Sequence, residues 1–271
     1  MPRTAARIRL VVFDWAGTTI DFGSRAPLMP FIRSFATRGV EITPDEARGP
    51  MGLHKKDHLR ALLQLPTVAR RWRDCHGSAA GENDLDDLYS TFMPLQLEVI
   101  DEFARPVPGL LDCVGVLRER GMSIGASTGY FRAAAERVYR AAAVQGYKPD
   151  HCVCADDVPA GRPAPWMIFR IMETLGVFPP SAVVKVGDTV PDIGEGLSAG
   201  VWSVGVLRSS SEVGCTESEW AALALSEQIQ RLAACREKLL AAGAHAVVET
   251  LAELPAVLEE LDARLGRGDK P

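Results

Sequence analysis

LVVFDWAGTTID, residues 10–21, decides how the rest of the chain is read. Leu10 to Phe13 is a short apolar run rich in β-branched residues, the pattern of a buried strand. It ends on Asp14, followed by a small residue, a glycine and two threonines. Open α/β sheets bind ligands just beyond the carboxyl ends of their strands. A carboxylate at that point is held on a rigid element beside a crevice, where it can attack phosphorus, bind a cation, or do both. By itself the string fits equally well a carboxylate that only starts a strand-to-helix turn.

Downstream of Pro106-Val-Pro-Gly109, which reads as a return linker, strand and helix patterns alternate. Strands are expected at Ser123–Ser127, His151–Ala155, Val183–Gly187 and Trp202–Val206, with a weaker sixth at Ala246–Val248. Helices are expected near 108–120, 131–145, 164–176, 191–199 and 216–242. That alternation argues for an α/β fold, a Rossmann-like parallel sheet with helices on both faces. Residues 22–105 read differently. Leu28, Phe31, Ile32 and Phe35 make one helical face, with Gly39 as its C-cap. Thr43-Pro-Asp-Glu46 is a capping box with proline at the first helical position. A further helix is expected to open at Met51 and to be interrupted at Pro66. Another is capped by Asp84, and Pro94 should kink or divide it. The chain therefore divides into a core segment at 1–21, a small all-helical cap at 22–105, and the rest of the core at 106–271.

Bulk properties narrow the class. The 271 residues are 47% hydrophobic and 24% charged, ordinary for a soluble globular protein. A net charge of −5 leaves no basic footprint for nucleic acid or an anionic membrane. No apolar run approaches the roughly 20 residues of a spanning helix, and the N-terminal run is too short for a signal peptide. The six cysteines, at 75, 113, 152, 154, 215 and 235, show no metal-ligand spacing. Cys152 and Cys154 should share one strand face as buried thiols, so a reduced, cytoplasmic protein is expected.

Four places converge at the carboxyl end of the expected sheet. Asp14 ends the first strand. Ser127-Thr128-Gly129 ends the second, where a hydroxyl and N–H groups near a helix start can hold phosphate, although these are also ordinary turn formers. Arg162 could offer a bidentate fork to phosphate oxygens; the commoner case for any one arginine is an exposed loop. VVKVGDTVPD, residues 183–192, places Asp188 after a strand and Asp192 one helical turn further on. With Asp14 these carboxylates form a hard oxygen site suited to Mg²⁺. N-capping would explain either one alone, but not both beside a second strand-terminal aspartate.

FDWAGTTID, MGLHKKDH, STGY, QGYKPD, DDVPAGRP, KVGDTVPDIGEG and GAH, in this order, resemble the motifs of the haloacid-dehalogenase superfamily and its phosphonatase (phosphonoacetaldehyde hydrolase) branch. The resemblance runs over nearly the whole chain. It implies a Mg²⁺-dependent cleavage of phosphonoacetaldehyde to acetaldehyde and phosphate. Asp14 would be the nucleophile that takes the phosphoryl group. Asp14, the Ala16 carbonyl and Asp188 would bind Mg²⁺, with Asp192 supporting from behind. Thr128, Gly129 and Arg162 would hold the transferring phosphoryl oxygens. Lys55 would form a Schiff base with the aldehyde, His58 would assist its proton transfers, and Met51 would line the pocket. A homodimer through the cap is also implied, with no nucleic-acid or membrane partner.

Superfamily phosphatases usually carry a second aspartate, as a proton donor, where this chain has Ala16. A C–P bond has a worse difficulty than a phosphate ester, because its leaving group is a carbanion. A lysine imine on the adjacent aldehyde removes it by accepting the electrons, provided that the lysine is neutral when it attacks. Lys55 and His58 share a helical face, while Lys56 is the competitor and either lysine could be a solvated surface residue; only the MGL-x-K spacing selects Lys55. Two positions depart from the family pattern: His54, where an apolar residue is usual, and Ser24, often a cysteine. His54 either faces away from the pocket, or tunes Lys55 or alters the accepted aldehyde. The rival readings are a phosphatase or phosphomutase on the same scaffold and a phosphate-sensing module without turnover.

Overall fold

The computed structural model describes residues 7–271. Residues 1–6, the start of the first core segment and of the stretch judged too short for a signal peptide, lie outside the described residues. Six parallel strands form one sheet: β1 (Leu10–Phe13), β2 (Ser123–Thr128), β3 (His151–Cys154), β4 (Val183–Gly187), β5 (Trp202–Val206) and β6 (Ala246–Val248). Their spatial order is β3-β2-β1-β4-β5-β6. Phe13 is level with Ala126 of β2 and Val186 of β4. Asp14 therefore leaves the sheet between those two strands, where the order reverses, the position at which open α/β sheets bind ligands.

β1 is buried on both faces, as its unbroken apolar run requires. Leu10 and Val12 belong to a cluster with Met167, Ile168 and Ile171, while Val11 and Phe13 pack on the other face with Ile124 and Ala126. Each such side chain contributes about 1.5–3 kcal/mol of burial.

Between β1 and β2 lie α1 (Leu28–Ala36), α2 (Pro44–Arg48), α3 (Lys55–Gln64), α4 (Pro66–His76) and α5 (Glu82–Val99), with no strand among them. Phe31, Leu59, Leu62, Leu88 and Phe92 form their common apolar centre, with the Phe31 and Phe92 rings stacked at 4.3 Å. The two connections to the sheet run side by side: Asp21 N–H donates to the Arg105 carbonyl at 3.3 Å, and Val107 N–H to that of Thr19 at 2.9 Å. The remaining helices are α6 (Leu110–Glu119), α7 (Arg132–Val144), α8 (Trp166–Leu175), α9 (Val190–Ala199), α10 (Glu217–Ala222), α11 (Leu225–Ala241) and α12 (Leu254–Gly266). None is long and apolar enough to cross a membrane. All six cysteines are free thiols.

Several boundaries depart from the sequence reading. α3 starts at Lys55 rather than Met51, because Gly52 has φ +92°, outside the helical region. α5 starts two residues before Asp84, whose carboxylate accepts the Gly81 N–H at 2.8 Å. Pro94 does not divide α5: Pro94 and Ser90, whose carbonyl loses its donor, are both exposed, so water can serve that carbonyl. The long helix expected at 216–242 is two helices. Leu223 and Ala224 turn extended so that Trp220 packs with Val213 and Cys215, and the Gln228 amide donates to the freed Trp220 and Leu223 carbonyls.

Candidate active site

Asp14, Ala16, Met51, Lys55, Thr128, Gly129 and Arg162 line one small cavity at the carboxyl end of β1, of about 20 Å³. The sheet supplies Asp14 and Thr128; α3 and the turn before it supply Lys55 and Met51. Close backbone approach makes this meeting possible. A Cβ on Gly129 would stand 2.5 Å from the Leu53 carbonyl oxygen, and one on Gly52 would stand 2.2 Å from Thr189 Oγ1. Glycine at both positions lets the turn before α3 dock onto the strand ends.

Asp14, Asp188 and Asp192 bring carboxylate oxygens within 4.8 Å of one another, all buried. Their surroundings differ. Asp192 Oδ2 caps α9 through Thr189, while Oδ1 lies 2.9 Å from Arg162 Nη1 and 3.0 Å from Lys185 Nζ. Burial raises its pKa, but Arg162 and Lys185 outweigh that and hold it below the usual carboxylate range. Asp188 accepts from Thr18 Oγ1 at 2.9 Å and from the Ser211 N–H and Oγ at 2.9 and 3.0 Å, without a cationic partner among the described residues. Burial, then the charges of Asp14 and Asp192, push it well above the carboxylate range. Asp14 is raised as well, by burial, against the pull of Arg162. Two mutually repelling buried carboxylates, one lacking a counter-charge, form a donor set that a hard divalent cation fits. Gly17 keeps this carboxylate in place: a Cβ there would lie 2.5 Å from Asp188 Oδ2, the oxygen that Ser211 holds, and would displace it.

Lys55 is 5% exposed and its Nζ stands 5.1 Å from the Tyr130 ring centre and 5.9 Å from that of Phe31. Burial pulls its pKa from 10.5 to about 8; Asp14 partly opposes this and Arg162 adds to it. Lys56 instead points outward and pairs with Asp86. His58 lies behind the cavity, stacked on Phe31 at 3.9 Å, with Nε2 2.9 Å from the Ala47 carbonyl oxygen. A carbonyl only accepts, so Nε2 carries the proton and Nδ1, buried and without a partner among the described residues, is the free base. Burial and the Lys55 charge hold its pKa well below 6.5.

His54 turns away from the cavity: its Nε2 is 3.0 Å from Asp156 Oδ1, across the contact between α3 and the sheet side. Ser24, at φ +49°, lines the cavity. The sequence reading passed over Lys185 and Glu195. Both are fully buried, and Lys185 Nζ lies 3.2 Å from Glu195 Oε2. A lysine inside the apolar run VVKVG, and a glutamate one turn beyond Asp192, were the available signals.

A parallel sheet in this order, with strand-terminal carboxylates and an all-helical insertion after β1, defines a haloacid dehalogenase-like hydrolase, and the profile of that family, "Hydrolase: haloacid dehalogenase-like hydrolase", matches residues 8–200. Full-length relatives narrow the class. The phosphonoacetaldehyde hydrolase of Syntrophobacter fumaroxidans is 47% identical over 97% of this chain and 95% of its own length. That of Klebsiella pneumoniae is 46% identical over 98% of this chain and 99% of its own. The crystal structure of a phosphonoacetaldehyde hydrolase-like protein from Oleispira antarctica superposes with a TM-score of 0.96 at 39% identity, covering 98% of this chain and 97% of that one. The chain belongs to the phosphonoacetaldehyde hydrolase family.

Proposed function

We propose that this chain hydrolyses the C–P bond of phosphonoacetaldehyde to acetaldehyde and phosphate, in the manner its relatives' names describe. The observation that carries the reading is one cavity holding both the Asp14 carboxylate and a buried amine, Lys55, drawn down to about 8. Ala16 on the same wall offers no proton to an ester leaving group.

The chemistry then runs through the chain's own groups. Neutral Lys55 Nζ adds to the aldehyde carbon and, with loss of water, gives an iminium. Asp14 attacks phosphorus; the C–P electrons flow into the iminium, leaving an enamine on Lys55 and the phosphoryl group on Asp14. Protonation at carbon and hydrolysis release acetaldehyde, and water then returns Asp14 and phosphate. The unpartnered Nδ1 of His58, one turn along α3 from Lys55, supports a role in the proton transfers at the imine nitrogen. Thr128, Gly129 and Arg162 would hold the phosphoryl oxygens, and Met51 would bound the aldehyde end. Asp14, the Ala16 carbonyl and Asp188 would hold Mg²⁺, with Asp192 behind them; bound there, it would offset charge gathering on the phosphoryl oxygens.

Residues 22–105 would act as a mobile cap on a core made of 1–21 and 106–271, hinged where Asp21 and Ser24 take φ of +53° and +49°. Closure would exclude water from the iminium. Two copies joined through their caps in a cytoplasmic homodimer complete the reading, on the family resemblance. The test is acetaldehyde release from phosphonoacetaldehyde, with and without Mg²⁺; absence of release with Mg²⁺ present would refute the reaction.

A further inference from the structure

Arg162 is held by more contacts than a phosphate-binding arginine needs. Its Nη2 lies 2.7 Å from Asp14 Oδ1 and donates to the Ser127 carbonyl at 2.7 Å. Nη1 lies 2.9 Å from Asp192 Oδ1, and Nε donates to Glu195 Oε2 at 3.0 Å. Glu195 Oε2 is the point where these lines meet. It also accepts from Ser127 Oγ at 3.1 Å and stands 3.2 Å from Lys185 Nζ, which donates to Ser127 Oγ at 2.9 Å. One carboxylate oxygen thus ties the end of β2, the middle of β4, the first turns of α9 and the Arg162 loop together.

Stability alone is a poor reason for this arrangement. Glu195 and Lys185 are both 0% exposed, and the second carboxylate oxygen, Oε1, has no hydrogen-bond partner among the described residues. Burying an ion pair with an oxygen left over commonly costs more than an apolar replacement of the whole group. What the arrangement does provide is direction. A guanidinium is planar, so fixing Nε against Glu195 fixes the edge that carries Nη2 toward Asp14. Without Glu195, nothing would hold Nε, and the contacts of the two Nη groups with Asp14, Asp192 and Ser127 would alone set the guanidinium plane.

We propose that Glu195 is a positioning residue for C–P cleavage, acting through Arg162 and itself held by Lys185 and Ser127. The proposal rests on the reaction proposed above. Misplacement of a reacting group by about 1 Å can cost about 10²-fold. Glu195→Gln, which keeps shape and one acceptor, is therefore expected to lower kcat for phosphonoacetaldehyde by about 10–100-fold, with little change in KM.

A double-mutant cycle separates this role from a merely structural one. Wild type, Glu195→Gln, Arg162→Lys and the double variant are compared for kcat, KM and Tm. If Glu195 acts through Arg162, its replacement costs little once Arg162 is lysine. If it only supports the fold, the two losses multiply and track the Tm; that result overturns the proposal. Should Glu195→Gln not fold, Glu195→Asp is put through the same cycle, since it keeps the charge but withdraws the oxygen from Nε. A wild-type protein without turnover overturns the proposed reaction and the positioning role with it, whereas active wild type with multiplying losses overturns the positioning role alone.

Discussion

Lys55 Nζ stands 5.1 Å from the Tyr130 ring centre inside the cavity, while its neighbour Lys56 reaches the surface to pair with Asp86. Adjacent residues on a helix point about 100° apart, so one side chain enters the site and the other leaves it. Borohydride added during turnover is expected to reduce an imine and fix a two-carbon adduct on Lys55. Lys55→Arg should lose both trapping and turnover, while Lys56→Arg stays within about two-fold of wild type, since surface substitutions of this kind are nearly neutral. Peptide mapping by mass spectrometry decides between them, and an adduct on Lys56 would refute the mechanism.

The same lysine sets a pH dependence. Its folded pKa is about 8 against 10.5 for an unburied amine. The neutral amine is the nucleophile, so kcat/KM should rise with pH through an apparent pKa near 8. The sign for stability follows from proton counts. Below about 8 both states hold the proton and the folded state bears the full cost of burying it, about 3 kcal/mol from that difference. Between 8 and 10.5 only the unfolded chain holds it, so stability from this group rises with pH across that window. Lys55→Met should therefore raise Tm at pH 7 while abolishing turnover. A lower Tm for that variant would contradict the buried-charge account.

Much of this site could be read from the sequence because buried parallel strands announce themselves. LVVF and VVKVG are apolar runs that end on aspartate, and the expected and observed strands agree within a residue. Less legible was anything fixed by tertiary contact. The start of α3 depends on a left-handed Gly52, whose reason is the approach of Thr189 from another part of the chain. The sequence leaves Asp192 open between helix cap and site carboxylate, and the side chain uses one oxygen for each. The apolar run around Lys185 and the place of Glu195 one turn beyond Asp192 hint at burial, but only the meeting of β2, β4 and α9 makes them partners. Propensity alone could not show where α10 ends, since Trp220 and Gln228 decide it.

Removal of metal should be visible without an assay. Asp188 has no cationic partner among the described residues and is pushed up by burial and then by the charges of Asp14 and Asp192, so a cation between it and Asp14 relieves a repulsion in the folded state. Mg²⁺ at a hundred times its Kd should add about 2.7 kcal/mol of stability, seen as a higher Tm after EDTA-treated protein is resupplied. Asp188→Asn should abolish that shift and turnover together. Asp14→Asn should fold and yet lose more than about 10³-fold in kcat, because an amide neither attacks phosphorus nor carries charge. Full activity in EDTA would remove the metal from the mechanism.

Ala16 makes the last prediction, on substrate class. It lines the cavity beside Asp14, at the position where superfamily phosphatases place their proton donor, and a methyl group transfers no proton. His58 cannot stand in for that donor: its free nitrogen is held neutral, well below 6.5, by burial and by the Lys55 charge. A phosphate monoester would have to leave as an unprotonated alkoxide, whereas phosphonoacetaldehyde leaves as an enamine once its aldehyde is joined to Lys55. General acid catalysis is worth about 10²–10⁴-fold, so simple monoesters should be turned over more slowly than phosphonoacetaldehyde by at least that factor. Lys55→Arg should leave the residual monoester rate nearly unchanged, because no imine is involved. Comparable wild-type rates on the two substrates, measured as phosphate release under one set of conditions, would assign the chain to the phosphatases instead.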